Sequence, residues 1–119
     1  MNHDPRYLRG IDHFNRGEYF EAHEVWEDFW VEVMDERKGF LHGLVQAAVT
    51  LHHALRNNYG GARSLYQRMV NNLALYKPSY FGLDVQTFLE RMSACCAPVW
   101  EEPPRPIDPA RVPKIALTE

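Results

Sequence analysis

Nothing in this sequence is strongly basic. Its 13 Lys and Arg are outnumbered by 16 Asp and Glu, for a net charge of -3 and a pI near 6.1. No run of Lys or Arg occurs, so the electrostatic footprint of a nucleic-acid binder is missing. Long apolar runs are missing too. The longest mostly apolar stretch, Leu44 to Leu55, is interrupted by Gln46 and His52 and is shorter than the roughly 20 residues a bilayer requires. No membrane partner is therefore expected. Cysteine is limited to Cys95 and Cys96, which are adjacent, a spacing that disulfide geometry disfavours. Two free thiols suit a reducing compartment. The polar start, Met1 to Gly10, does not resemble a signal peptide. Together these features predict a cytoplasmic protein. The sequence also contains no Walker A, GxGxxG, GxSxG or CxxC motif, and Gly60-Gly61 lacks the Lys-Ser/Thr of a phosphate loop. Ser64 and Ser93 have no base beside them in sequence, so nothing points to nucleophilic catalysis.

What is present reads as one small helical domain. The 119 residues are 45% hydrophobic and 24% charged, an ordinary globular composition. A chain of this size buries roughly two-thirds of its unfolded surface and supports a core without staples. Asp4-Pro5 is a capping residue followed by proline in the first turn, predicting a helix to about Asn15. Gly17 breaks that pattern. A second helix is predicted from Tyr19 to about Met34, with Ala22, Val25, Trp26, Phe29, Trp30 and Val33 on one face. Glu21, Glu24, Asp28 and Glu32 lie opposite, on a solvated face. A third helix, about Glu36 to Arg56, is apolar around most of its circumference and belongs at the centre of a bundle. A fourth runs from Gly60-Gly61 to about Tyr76, where Pro78 ends it. Asp84 caps a fifth, Val85 to Ala97. No segment of useful length alternates apolar and polar residues, so no sheet is expected.

The predicted fold is therefore all-α: a compact bundle of about five helices in hairpins, with a proline-rich extended C-terminal tail. The bundle is assigned to residues 1–97 and the tail to 98–119. The tail holds six of the eight prolines, which keep the chain extended. Trp100 and Ile107 are apolar anchors for a strap across the bundle, although a loose tail is equally compatible with the sequence. Gly17-Glu18-Tyr19 before the second helix is echoed by Tyr59-Gly60-Gly61 before the fourth, in the manner of tetratricopeptide hairpins.

The concentrated chemical signal is EAHEVWE, Glu21 to Glu27. His23 and Glu27 are one helical turn apart on the same side, at the edge of the apolar stripe. There a carboxylate can orient an imidazole and raise its pKa. The third helix supplies a polar row, His42, Gln46, Val49 and His53, at steps of four, three and four. If the second and third helices pack face to face, His23, Glu27 and His53 can meet. Two histidines and a carboxylate are enough for a divalent metal with open positions, or for an acid–base pair. His52 lies roughly 100 degrees from His53 on the wheel and cannot share a site with it comfortably. HExxE only superficially resembles the zinc-protease HExxH. The bland reading is a buried polar lock that fixes helix register.

Phe14 to Glu27 is similar to the signature of the DUF309 family, small bacterial and archaeal proteins of unassigned function. The likeness continues through Phe40 to Ala48, the His52-His53 step, Asn57 to Ala62, and Gly82-Leu83-Asp84, covering roughly Tyr7 to Ala97. His42 stands where the family's usual pattern has Gln. The resemblance implies a compact all-helical bundle and no particular activity. Its motif positions in this chain are Glu21, His23, Glu24, Glu27 and His53.

Two functional classes follow. One is a non-enzymatic binding or assembly module that docks a protein or peptide partner, with a homodimer as one form. The other is a small metal-dependent or acid–base enzyme, hydrolase-like, built on His23, Glu27 and His53. Gln46 joins the candidate binding residues through its place in the polar row.

Overall fold

The computed structural model describes residues 3–118. Five α-helices carry the fold: α1 (Pro5–Asn15), α2 (Tyr19–Trp30), α3 (Arg37–Leu55), α4 (Tyr59–Leu73) and α5 (Val85–Cys96). The all-α expectation holds. Asp4 caps α1 by accepting the Arg6 amide at 2.8 Å. Asp84 caps α5 by accepting the Thr87 amide at 2.9 Å. Both follow the rule that a short polar side chain satisfies a free donor in the first turn.

Helices α1 and α2 form one hairpin, α3 and α4 the next, and the two hairpins close in the same way. After α1, Gly17 adopts φ 79°; after α3, Asn57 adopts φ 60°. These are left-handed residues of the kind that end helices. In each case the next amide reaches back to the helix: Glu18 N–H to the His13 carbonyl at 2.9 Å, Asn58 N–H to the His53 carbonyl at 2.8 Å. The backbone turn is thus repeated, with Gly17 matched by Asn57, whereas the Tyr59-Gly60-Gly61 of the sequence echo already lies in the first turn of α4.

Helix α2 stops at Trp30, earlier than the expected Met34. Two cationic side chains reach its last turn: Lys38 Nζ donates to the Trp30 carbonyl at 2.8 Å, and Arg6 Nη1 to the Asp28 carbonyl at 3.3 Å. Carbonyls left without helical partners are satisfied this way. Val33 is still buried, but it is carried by the connecting loop.

The expectation of no sheet needs a correction. Ser79–Tyr80 (β1) and Leu83–Asp84 (β2) pair antiparallel. Phe81 and Gly82 between them have φ 53° and 82°, the paired positive angles of a type I′ turn. Two residues per strand are too few to show alternation in sequence. The turn is held by aromatic packing, with the Phe81 ring 4.6 Å from that of Tyr7.

The core is continuous across all five helices. Trp26 is fully buried, and its indole Nε1 donates to the Tyr7 carbonyl at 3.1 Å, locking α2 onto α1. Gly10 permits that approach, because a Cβ there would occupy the indole's space. Among the described residues from 101 to 118, the chain forms one 3-10 turn, Pro109–Arg111. It places Ile107, Pro113 and Ile115 in buried positions. Asn15 grips this segment in two directions, accepting the Ile115 amide at 2.7 Å and donating to its carbonyl at 2.8 Å. Of the expected anchors, Ile107 is buried and Trp100 stays half exposed against Tyr66.

Candidate functional site

Helix α2 divides EAHEVWE much as its wheel predicts. Ala22 and Trp26 are buried, Glu21, Glu24 and Glu27 are exposed, and His23 and Val25 lie between. The expected His23–Glu27 partnership is not what the ring makes. His23 Nδ1–H donates to the Phe20 carbonyl at 2.7 Å, and the ring packs 4.9 Å from Phe20. Helical side chains lean towards the helix N-terminus, so the imidazole turns back to Phe20 and away from Glu27, a turn further on. With Nδ1 carrying the proton, Nε2 of the neutral ring is left with its lone pair.

Helix α3 lies between α2 and α4. On the α2 side, the His42 ring packs 5.2 Å from Trp30 and the His52 ring 5.4 Å from Phe20. On the α4 side, Gln46 Oε1 accepts from Asn72 Nδ2 at 2.7 Å. That bond orients the buried amide so that Gln46 Nε2 faces His42 Nε2 at 3.5 Å. Among the described residues, Gln46 and Thr50 are the buried polar side chains of the core, and the Thr50 hydroxyl donates to the Gln46 carbonyl at 2.7 Å.

His53 does not meet His23. Its ring turns towards the start of α4, where Asn58 Nδ2 lies 3.2 Å from its Nδ1. Asn58 Oδ1 is already accepting the Gly61 amide at 3.2 Å, so the amide nitrogen is the donor and His53 Nδ1 the acceptor. The neutral ring therefore carries its proton on Nε2. One residue advances a helix by roughly 100 degrees, and that step gives His52 the place beside α2 that was expected of His53. The set His23, Glu27 and His53 is not brought together. Among the described residues, no three His, Cys, Asp or Glu side chains are grouped so as to hold a metal ion.

The electrostatics single out His52. Partial burial beside Phe20 holds its pKa below the usual histidine value. The positive charge of Arg56 and the neighbouring His53 and His23 add to the depression, and Glu21 opposes it. His52, Phe20, Trp30 and Asn72 are the members of this face that the sequence reading left out of the site. Phe20 carried a readable signal: it lies three residues before His23 on the same side of α2, where helical neighbours touch.

A cavity of about 610 Å³ lies elsewhere. It is lined by Asp35, Glu36, Arg37, Tyr80, Phe81 and Gly82 and by none of the candidate residues. Arg37 there is bound to Asp35 at 2.9 Å and lies over the Phe81 ring. No helix among the described residues is long and apolar enough to cross a membrane.

Fold and face together define a small all-α protein of two helix hairpins, whose α2 and α3 share a surface bearing half-buried His23, His42 and His52 beside the exposed Phe20. Residues 7–65 match the family model described as a domain of unknown function (DUF309), and the chain belongs to that family. The matched span contains most of α1, all of α2 and α3, both hairpin turns and every candidate residue. The chain is also similar to the uncharacterized protein YpuF of Bacillus subtilis (strain 168), at 35% identity over 83 residues. That alignment covers 65% of this chain and 46% of YpuF, so the chain spans about half the length of the curated relative it matches.

Proposed function

We propose that the protein is a non-enzymatic binding or assembly module that engages a protein partner through the face shared by α2, α3 and α4. The observation that carries this reading is the placement of Phe20. It is nearly half exposed at 48%, yet it is flanked by the rings of His23 and His52 at 4.9 and 5.4 Å. A large aromatic held in place and open to solvent is the type of residue that anchors protein interfaces. The half-buried Asn72 and Trp30 extend the same face towards its other end.

The test is site-specific photo-crosslinking in the source cell, with the crosslinker at Glu27 on the face and at Arg91, exposed on α5, as control. A discrete adduct from position 27 and none from position 91 supports the reading. Equal labelling from both positions, or no adduct from position 27, defeats it.

A second reading, a divalent-metal or acid–base enzyme of hydrolase type, draws on one observation: the His23 tautomer that leaves Nε2 available. A backbone carbonyl that holds Nδ1–H is a common way to orient a ligating imidazole. Metal analysis of untagged protein checks it. Stoichiometric zinc or nickel lost in His23→Ala supports it, and metal-free protein that binds neither ion on titration ends it.

A further inference from the structure

We infer that the partner seated on the α2–α3–α4 face is a second copy of this chain, in a symmetric pair whose two-fold axis runs parallel to α3. The inference rests on the docking reading above and names its occupant.

The argument begins with register. Phe20 lies level with His52 and Trp30 with His42. Asn58 lies level with His53 and Asn72 with Gln46. Helices α2 and α4 therefore run in the same direction, antiparallel to α3, one on each side of it. A two-fold axis laid in the face along α3 keeps each residue at its level and exchanges the sides. It sets α2 of each copy over α4 of the other, a contact in which one surface meets itself.

The residues at matching levels are complementary. Midway along α2, the exposed Glu24 and Glu27 extend the face; midway along α4, the exposed Arg68 does. The exchange puts the two carboxylates of one copy beside the guanidinium of the other, twice. At the His52–His53 end, Phe20 falls opposite the start of α4, where the Asn58 and His53 side chains close against Gly61. At the other end, Val31 and Met34, 57% and 87% exposed, fall opposite Leu75, 80% exposed. These are among the largest exposed apolar residues of the described chain, and they lie at the two ends of one face with opposite charges between them. Half-buried Val49 of α3 lies on the axis. Such a layout, apolar anchors with charges that set the pairing, matches how specific interfaces divide their chemistry.

The size also fits. The 19 residues of α3 make the face roughly 28 Å long at 1.5 Å per residue. Three helices at 8–10 Å spacing make it roughly 20 Å wide. Once the relief of side chains is added, that outline approaches the about 800 Å² per partner of a standard interface.

Sedimentation equilibrium on the full chain tests the inference. Wild type is expected at twice the 13.9 kDa chain mass. Arg68→Glu should raise the dimer dissociation constant at least about tenfold, since a like-charge contact replaces an attractive one. Combining Arg68→Glu with Glu24→Arg and Glu27→Arg should restore association. Leu75→Ser tests the apolar end and should also weaken the dimer. All four positions are exposed, so far-UV circular dichroism should stay at the wild-type level. A monomeric wild type, an Arg68→Glu protein that still dimerises as wild type does, or a charge swap that fails to restore the dimer each overturns the inference. The two proposals fail separately. A monomeric wild type whose position 27 crosslinks to a different protein overturns the second copy and leaves the docking reading standing. A monomer without any such crosslink overturns both.

Discussion

His53 and Asn58 stand in the same relation as His13 and Glu18. In each pair the second residue returns its backbone amide to the carbonyl of the first, at 2.8 and 2.9 Å, and its side chain meets the histidine Nδ1, at 3.2 and 2.8 Å. A left-handed residue, Asn57 or Gly17, makes the turn between them. His53 is thus bound into the hairpin turn in the way that His13 is. Its side chain links the end of α3 to the first turn of α4.

That relation makes His53→Ala and Asn58→Ala stability variants. Loss of the Asn58 cap should cost about 1 kcal/mol, within the usual 0.5–2 for an N-cap. His53→Ala should cost a comparable amount, and the double variant less than the sum, because the two share one hydrogen bond. Urea denaturation of the four proteins measures this. Strict additivity would show the pair to be uncoupled.

Gly10→Ala should be among the most damaging single changes available. The added methyl would enter the space of the Trp26 indole, which is fully buried and bonded to the Tyr7 carbonyl. Overpacking of this kind costs typically 1–3 kcal/mol, here with the hydrogen bond at risk as well. A thermal melt within a degree or two of wild type would contradict the packing described for α1 and α2.

Stability should fall on mild acidification, and His52 should account for a share of the fall. Its folded pKa lies below the ordinary histidine value of 6.5 because burial and nearby positive charge disfavour the protonated ring. The unfolded chain therefore takes up the proton first. The His52 contribution is full above that ordinary value and is lost as pH drops from it through the depressed folded value. His52→Gln should flatten this segment of the stability profile. Further acidification reaches Glu18 and Asp84, whose carboxyls are held low by His13 and by the Thr87 amide respectively. Their contributions are present above the usual carboxylate range and disappear below it. A profile unchanged by His52→Gln would remove His52 from this account.

Asn15→Ala should free the C-terminal segment without unfolding the bundle. The change removes both bonds to Ile115, whereas α1 to α5 keep their own contacts. Trypsin should cut after Lys114 at least several-fold faster, with far-UV circular dichroism unchanged. Equal cleavage rates would mean that Ile107 and Ile115 hold the segment by burial alone.

The helices were legible because their signals are local. Asp4-Pro5, Asp84 and the apolar spacing of α2 act over a few residues, and the structure uses them as read. The short β1–β2 ribbon was hidden because two-residue strands have no period, and its left-handed Phe81 is held by Tyr7, far away in sequence. The end of α2 was misplaced because Lys38 and Arg6, which satisfy its carbonyls, come from other elements.

The sequence by itself determined the all-α class, the family, and which faces of α2 and α3 carry polar residues. Helical periodicity settles which residues share a side. Tertiary structure alone decided which histidine meets which neighbour. A single step along α3 separates His52, against Phe20, from His53, against Asn58. Only the packing of α2 and α4 on the two sides of α3 determines the side each ring faces. EAHEVWE thus remains the mark of the family, while its histidine answers to Phe20 and His52 rather than to Glu27 and His53.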